Sequence, residues 1–174
     1  QLGVVHPGGH GSLPVQGAQG RSQQLAVCAQ HVSWAAVADQ VEEAVDIPVL
    51  HLADTVAAAV QAAGIETVGL IGTKVAMSES FFVDRLQSHG LTVVVPDASH
   101  HDFLNDAIYE ELVHGVVLPR TRSRVVSIIE ELWDAGAGGV LLGCTELELL
   151  VKQADVELPV FPCTTLHVQA ALDA

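Results

Sequence analysis

One cysteine in the sequence has the surroundings of a reactive thiol. Cys144 follows the apolar run Val140-Leu141-Leu142-Gly143 and precedes Thr145 and Glu146. The run predicts a buried strand, so Cys144 is expected at its carboxyl end, where parallel sheets place ligands. The residues after it are expected to open a helix, whose dipole and free amides favour the thiolate. The alternative interpretation is a small core side chain.

A second cysteine repeats this arrangement nearer the start of the chain. Cys28 ends the apolar run Leu25-Ala26-Val27, and a helix is predicted from about Ser33. If the two units belong to facing lobes, the thiols approach one bound molecule from opposite sides. One thiolate then removes a proton from carbon while the other thiol delivers one, which inverts a stereocentre. Two unrelated buried cysteines explain the spacing equally well. Cys163 lacks this context and is interpreted as a buried or helix-starting residue.

A third polar group follows the predicted strand from Thr67 to Ile71. Gly72 permits close approach of the backbone, Thr73 supplies a hydroxyl, and Lys74 is one of only seven basic residues. We therefore consider Thr73 and Lys74 as ligands for a substrate carboxylate, although an exposed lysine is usually only a solvated charge. Thr73 and Thr145 are also candidate hydrogen-bond donors to charge that develops in the transition state.

The sequence gives no metal or cofactor motif that outweighs a simpler interpretation. His100, His101 and Asp102 are adjacent, but neighbouring residues on a helix point about 100° apart and rarely share one ion. No pair of cysteines has zinc-site spacing. No lysine context argues for a Schiff base, so neither a metal nor pyridoxal phosphate is inferred.

The arrangement of apolar runs predicts the elements that position these residues. From about residue 24, short β-branched runs alternate with longer stretches rich in Ala, Glu and Leu, typical of βα units on a parallel sheet. Strands are predicted at residues 25–28, 49–52, 67–71, 92–95, 139–142 and 159–161. Helices are predicted at residues 33–45, 54–63, 78–88, 101–113, 121–135 and 164–174, with a short one after Cys144. No element is assigned to residues 1–23.

The predicted helices have identifiable ends. Ser78 and Thr121 are expected to cap helix N-termini. Gly64, Gly90 and Gly136 are expected to end helices.

Composition excludes several classes of partner. The 174 residues are 49% hydrophobic with a mean hydropathy of +0.40, which predicts a folded core. Seven basic against 21 acidic residues give a net charge of -14, which repels nucleic acids and anionic membranes. The start lacks the features of a signal peptide, no run of about 18 apolar residues occurs, and the three cysteines are sparse. A cytoplasmic protein is expected.

In combination these motifs resemble the aspartate/glutamate racemase family, most closely its aspartate racemase branch. The resemblance covers roughly residues 37 to 174. It is carried by Val37-Ala38-Asp39, Ile47-Pro48-Val49-Leu50-His51-Leu52-Ala53-Asp54, Gly69-Leu70-Ile71-Gly72-Thr73, Met77, Phe81-Phe82-Val83-Asp84-Arg85-Leu86, Val95-Pro96-Asp97, Ile108-Tyr109-Glu110-Glu111-Leu112, Gly143-Cys144-Thr145-Glu146 and Thr164-Thr165-Leu166-His167.

The resemblance implies an α/β fold with two pseudo-symmetric parallel-sheet lobes and the site in the interlobe cleft. Residues 1–63 then form a first lobe that is expected to be truncated, with residues 161–174 packing back on it. Residues 64–160 form the second lobe.

The resemblance also implies cofactor-independent interconversion of L- and D-aspartate, or of a similar acidic amino acid, by two cysteines. Cys144 corresponds to the second-lobe cysteine and Cys28 falls close to the first-lobe one. Gln30, Thr145 and His114 then join Thr73 and Lys74 as substrate-binding residues; His114 replaces a cation common in the family. A homodimer is expected.

Two alternatives remain at this point. A related isomerase or decarboxylase of a dicarboxylic acid needs only one cysteine. A truncated first lobe is also compatible with a catalytically inactive remnant that binds rather than turns over its ligand.

Overall fold

The computed structural model describes residues 27–29 and 38–174, in which strands and helices alternate along the chain. The strands are β1 (Val27–Ala29), β2 (Val49–His51), β3 (Thr67–Ile71), β4 (Thr92–Val94), β5 (Val140–Leu142) and β6 (Val160–Pro162). The helices are α1 (Ala38–Ala44), α2 (Leu52–Ala62), α3 (Lys74–Ser78), α4 (Ser80–Ser88), α5 (Ala98–Asp106), α6 (Pro119–Asp134), α7 (Leu147–Leu150) and α8 (Cys163–Asp173). The predicted α/β class is confirmed.

Parallel pairing joins every described strand. β1 pairs with β2, and the other strands form one sheet in the order β4-β3-β5-β6. In that sheet Ile71 lies opposite Leu142, and Leu142 lies opposite Pro162. The residues that follow these three therefore emerge at one edge of the sheet, which is where parallel sheets bind ligands.

Alternate residues of the central strands fill two separate cores. Leu70 and Leu141 pack on one face with side chains of α2 and α4, whereas Ile71 and Leu142 pack on the other face with α5, α6 and α7. Each strand is thus covered on both sides, which explains why its sequence is continuously apolar rather than alternating.

Helix α2 connects the short β1-β2 sheet to the larger one. It follows β2 directly, packs against α8 and α4, and contributes to the core that contains Leu70 and Phe82. Cys163, the first residue of α8, is buried in the same core, as predicted. The division into lobes at residues 63 and 161 stays a prediction.

Glycines end three helices as predicted, and both predicted caps are wrong. Gly64, Gly90 and Gly136 have φ angles of 72°, 83° and 97°, the left-handed region that glycine adopts without steric cost. Ser78 is instead the last residue of α3, because the extended backbone of Glu79 separates α3 from α4. Thr121 lies inside α6, which begins at Pro119.

Two details of the helices escaped the sequence pattern. Pro119 fits the first position of α6 because proline lacks the amide N–H that would be unpaired there. Thr121 does not cap this helix; its hydroxyl donates to Glu111 Oε2 at 2.5 Å. The predicted helix 101–113 begins earlier, at Ala98, and continues as a π-helix, Ala107–Glu111, and a 3-10 turn, Leu112–His114. None of the described helices has the length and apolarity to span a membrane.

Candidate active site

Two glycines bring the carboxyl ends of β3 and β5 close together. Gly143 N–H donates to Ile71 O at 2.8 Å. A Cβ atom on Gly72 would lie 3.1 Å from Cβ of Ala76, and one on Gly143 would lie 3.0 Å from Leu70 Cδ1. A side chain at Gly72 would therefore crowd α3, and one at Gly143 would crowd Leu70 and the backbone of Ile71. Thr73 and Cys144 follow these glycines, each two residues after the paired positions Ile71 and Leu142.

Cys144 is half-buried and hydrogen-bonded to a carboxylate. Its Sγ donates to Glu146 Oε2 at 2.8 Å, and the Thr145 hydroxyl donates to the same oxygen at 2.5 Å. Burial, together with the hydrogen bond and the negative charge of Glu146, raises the pKa of the Cys144 thiol to about 12. At neutral pH Cys144 is a thiol.

The prediction that Cys144 is a thiolate is therefore wrong, for a physical reason. The backbone amides of Glu146 and Leu147 do lower the pKa of Cys144, but by less than burial and the carboxylate raise it. Helix α7 has only four residues, so its dipole is small, whereas a helix dipole of useful strength needs several aligned peptide units.

Glu146 is the residue of this site to which sequence reasoning assigned no role. In the sequence, Glu146 is part of the Gly143-Cys144-Thr145-Glu146 motif, where it is predicted only to begin a helix. The available signal was a carboxylate two residues after a strand-end cysteine. That spacing lets one turn of chain bring the carboxylate onto the sulfur.

Thr73 and Lys74 are positioned by contacts of their own. The Thr73 side chain caps α3 by accepting from Ala76 N–H at 3.2 Å. Lys74 Nζ donates to Asp102 Oδ1 at 2.7 Å on the exposed surface, and this hydrogen bond raises the pKa of Lys74. The Lys74 charge thus already has a carboxylate partner, and its binding to a substrate stays a prediction.

Of the remaining predicted site residues, the described contacts connect only Thr145 to Cys144, through Glu146 Oε2. His114 is exposed at the end of the 3-10 turn. Thr145 is exposed beside Cys144. Cys28 lies in β1 with its backbone opposite Leu50, while its side chain and Gln30 lie outside the described part of the chain. Their roles stay predictions.

His100, His101 and Asp102 each contact a different partner. His100 Nε2 lies 2.7 Å from Glu131 Oε2, His101 Nε2 lies 2.9 Å from Pro96 O, and Asp102 pairs with Lys74. In residues 38–174 and 27–29, no three potential metal ligands are grouped around a common point.

The fold and the strand-end thiol define an α/β protein with a candidate acid/base site at the carboxyl edge of a parallel sheet. The profile of the Asp/Glu/Hydantoin racemase family matches residues 20–171 of the sequence. The chain belongs to this family, as the resemblance predicted.

Solved structures agree with this assignment. A candidate Asp/Glu racemase from Yersinia pestis is 36% identical with a TM-score of 0.81, and an aspartate racemase homologue from Pyrococcus horikoshii OT3 is 34% identical with a TM-score of 0.80. Both matches cover 85% of this chain but 65% of the other, so the chain spans less than two thirds of these relatives. A glutamate racemase from Francisella tularensis, solved with D-glutamate, shares the fold at 15% identity, with a TM-score of 0.63 over 85% of this chain and 56% of that one.

Proposed function

We propose that this protein racemises an acidic amino acid, aspartate first among them, by cofactor-independent proton transfer at the α-carbon. The observation that carries the proposal is the Cys144 thiol, which lies at the carboxyl edge of the sheet and donates to Glu146 at 2.8 Å. Membership of a racemase family supports it. A homodimer and a cytoplasmic location remain part of the same proposal.

In this proposal Cys144 acts first as a proton donor. Its pKa of about 12 keeps the proton on sulfur until a strong base appears. The carbanion formed when an amino acid loses its α-proton is such a base, so the S–H proton moves to carbon and leaves a thiolate. This is general acid catalysis by a side chain whose resting form is the acid.

Cys28 is proposed as the opposing base. Its thiolate takes the α-proton from one face while Cys144 protonates the other, so each turnover consumes one thiolate and generates one. β1 places the backbone of Cys28 opposite Leu50, one residue before the pair of Ala29 with His51 at the end of β2. The reverse reaction uses the same two groups with their roles exchanged.

Glu146 provides a route for resetting the protons. Its Oε2 accepts from both Cys144 Sγ and Thr145 Oγ1. A carboxylate at this distance takes the thiol proton when Cys144 must act as the base, and it exchanges protons with water. Its negative charge raises the pKa of Cys144, so Glu146 assists by accepting the proton and not by stabilising the thiolate.

The proposed substrate contacts come from both strand ends. Thr73 and Thr145 follow the neighbouring ends of β3 and β5, and Lys74 reaches a carboxylate if it exchanges Asp102 for the substrate. His114 and Gln30 complete the proposed set. Charge that grows on the α-carboxylate during proton removal is stabilised by such fixed donors.

Turnover of pure enantiomers tests the proposal. The protein is incubated separately with L- and D-aspartate and L- and D-glutamate, and the products are separated by chiral chromatography. Cys144→Ser and Cys28→Ser are each expected to lower kcat about 1,000-fold or more, because a hydroxyl is a far weaker acid than a thiol. Cys163→Ala is the matched control, because Cys163 is buried in the core. Undiminished turnover in both serine variants contradicts the two-cysteine mechanism.

A single-cysteine isomerase or decarboxylase of a dicarboxylic acid is the second candidate. The raised pKa of Cys144 favours it too, because a resting thiol suits protonation of a carbanion left by loss of carbon dioxide. Release of carbon dioxide from a substituted malonate, without racemisation of aspartate, distinguishes this activity. Mass spectrometry of enzyme trapped with substrate shows whether a covalent adduct forms.

A further inference from the structure

The turn that contains Cys144 leads into a helix that is too short to be stable without contacts to other elements. Helix α7 has four residues, and its N-cap, Glu146, makes no side-chain capping bond. Isolated helices much shorter than about 12 residues are marginal in water. The orientation of α7, and with it the position of Cys144, therefore depends on contacts with other elements.

The contact between α7 and α8 comes from Glu148. Its Oε1 accepts from Thr164 N–H at 2.8 Å, and its Oε2 accepts from the Thr165 hydroxyl at 2.7 Å. Both partners lie in the first turn of α8, 16 and 17 residues further along the chain. Glu148 thus joins the helix that follows Cys144 to the helix that packs on α2.

Helix α8 lacks a cap of its own, which explains why this contact forms. Its N-cap residue is Pro162, which makes no side-chain capping bond. The first amides of an 11-residue helix carry a partial positive charge and need acceptors. A carboxylate from another element satisfies them with charge-assisted bonds, which are stronger than neutral ones.

The other end of α7 is held from a different direction. Arg122 Nε donates to Leu150 O at 2.7 Å, and Leu147 and Leu150 are buried. These contacts hold α7 against α6, whereas the bonds of Glu148 join α7 to α8.

We propose that Glu148 is a positioning residue that holds the Cys144 turn in place by joining α7 to the first turn of α8. Its consequence for catalysis rests on the proposed racemase function, but its effect on the thiol does not. If the Glu148 link is lost, α7 rotates more freely and Cys144 Sγ leaves Glu146 for part of the time. The thiol is then more exposed and more readily ionised.

Alkylation of Cys144 tests the positioning without any substrate. The full chain is treated with iodoacetamide at pH 8, and the rate at Cys144 is followed by peptide mass spectrometry. Glu148→Ala is expected to raise this rate about tenfold or more, as the thiol shifts toward ordinary cysteine behaviour. Glu148→Gln is expected to stay within about threefold, because its amide still accepts from Thr164 and can donate to Thr165.

Two further variants separate positioning from stability. Thr165→Val removes one of the two bonds at an exposed position and is expected to raise the rate severalfold, even if Glu148→Ala does not fold. Gln169→Ala is the matched control, because Gln169 is exposed on α8 and its side chain bonds Asp173, one turn further along the same helix. Its alkylation rate is expected to equal that of the unaltered protein.

The kinetic readout then distinguishes the two proposals. In a racemising protein, Glu148→Ala is expected to lower kcat about tenfold with KM changed less than about threefold, because substrate contacts remain. Unchanged alkylation in folded Glu148→Ala and Thr165→Val overturns the positioning role. Faster alkylation in a protein that racemises none of the four enantiomers supports the positioning role and contradicts the proposed function.

Discussion

At the residue scale, the protonation state of Cys144 decides how the site works. With a pKa of about 12, about one thiol in 10,000 is ionised at pH 8. In the proposed mechanism, donation of the thiol proton to a carbanion is then easy, and removal of a proton by the same sulfur is the demanding step. Glu146 suppresses the thiolate, and in the proposed mechanism it also accepts the proton of the thiol.

Glu146→Gln separates these two effects. The neutral amide no longer repels a thiolate, so the pKa of Cys144 is expected to fall, although burial keeps it above an ordinary value. Alkylation of Cys144 should therefore begin at lower pH than in the unaltered protein. Racemisation should nonetheless slow by about 10- to 1,000-fold, because the proton acceptor is lost.

The measurement is a pH profile of alkylation set beside kcat. Glu157→Gln, an exposed change outside the site, serves as the control and should leave both unchanged. A Glu146→Gln protein whose alkylation profile matches the unaltered one contradicts the role assigned to this carboxylate.

His167 is a second residue whose burial has measurable consequences. Its side chain is inaccessible to solvent, and neither ring nitrogen has a hydrogen-bond partner among the described residues. Burial, with a smaller contribution from the charge of His51, lowers the pKa of His167. A buried polar group without a partner destabilises the folded state.

Replacing His167 with leucine is expected to stabilise the fold. At pH 8 the gain should be about 1 kcal/mol, because the unpaired nitrogens are removed at similar volume. The unaltered protein loses stability as pH falls below the unfolded histidine pKa of about 6.5, because only the unfolded chain takes up the proton readily. Urea unfolding should show that the difference in free energy of unfolding between His167→Leu and the unaltered protein is larger at pH 5 than at pH 8. Equal stability of the two proteins at both values contradicts this account of His167.

Sequence reasoning predicted the strand-end position of Cys144 correctly but not its protonation state. The strand-end position of Cys144 follows from the apolar run before it, which is local information. The Glu146 contact, and hence the thiol, depends on how one turn folds. The pairing of Lys74 with Asp102 spans 28 residues and required the tertiary structure.

At the element scale, one carboxylate links α2 to α4. Asp54 accepts from Arg85 Nε at 2.8 Å and Nη2 at 2.9 Å, and its Oδ1 lies 2.8 Å from His89 Nε2. Burial alone would raise the pKa of Asp54, but the hydrogen bonds from Arg85 and His89 outweigh it and lower the pKa to about 2. Bidentate arginine–carboxylate pairs are the strongest of their kind.

Asp54→Asn is expected to lower the free energy of unfolding by about 1–2 kcal/mol at pH 7. This is less than the pKa shift alone implies, because the carboxylate is one third exposed and solvent screens it. A depressed carboxyl pKa adds stability above the unfolded value, near 4, that is lost as pH falls toward 2. The free energies of unfolding of Asp54→Asn and of the unaltered protein, measured with urea, should therefore converge between pH 4 and pH 2.

The matched control for Asp54→Asn is Asp102→Asn. The Lys74–Asp102 pair is far more exposed, and exposed pairs contribute little. If the urea midpoint of Asp54→Asn equals that of the unaltered protein at pH 7, the structural role of the contacts among Asp54, Arg85 and His89 is contradicted.

Element boundaries followed from the sequence where one local signal dominated. Gly64, Gly90 and Gly136 stop helices because the conformation they adopt is costly for other residues. The break at Glu79 and the π-helix at Ala107–Glu111 had no such signal. The residue types at both places are compatible with continuous α-helices, which is what the predicted ranges 78–88 and 101–113 assumed.

At the scale of the whole molecule, the alternation of strands and helices was sufficient to predict the parallel α/β fold. Continuous apolar runs such as Val140–Leu142 required helices on both faces, and the two cores supply them. The order β4-β3-β5-β6 was not predicted, because strand order depends on which crossover packs where. That order sets Thr73 beside Cys144.

The central claim is that Cys144 serves one face of the substrate α-carbon. Deuterium uptake from heavy water by L-aspartate and D-aspartate, in the presence of Cys144→Ser protein, tests it most directly. The account predicts uptake into one enantiomer without inversion, through the cysteine that remains. Inversion at the rate of the unaltered protein, or equal uptake into both enantiomers, would contradict it.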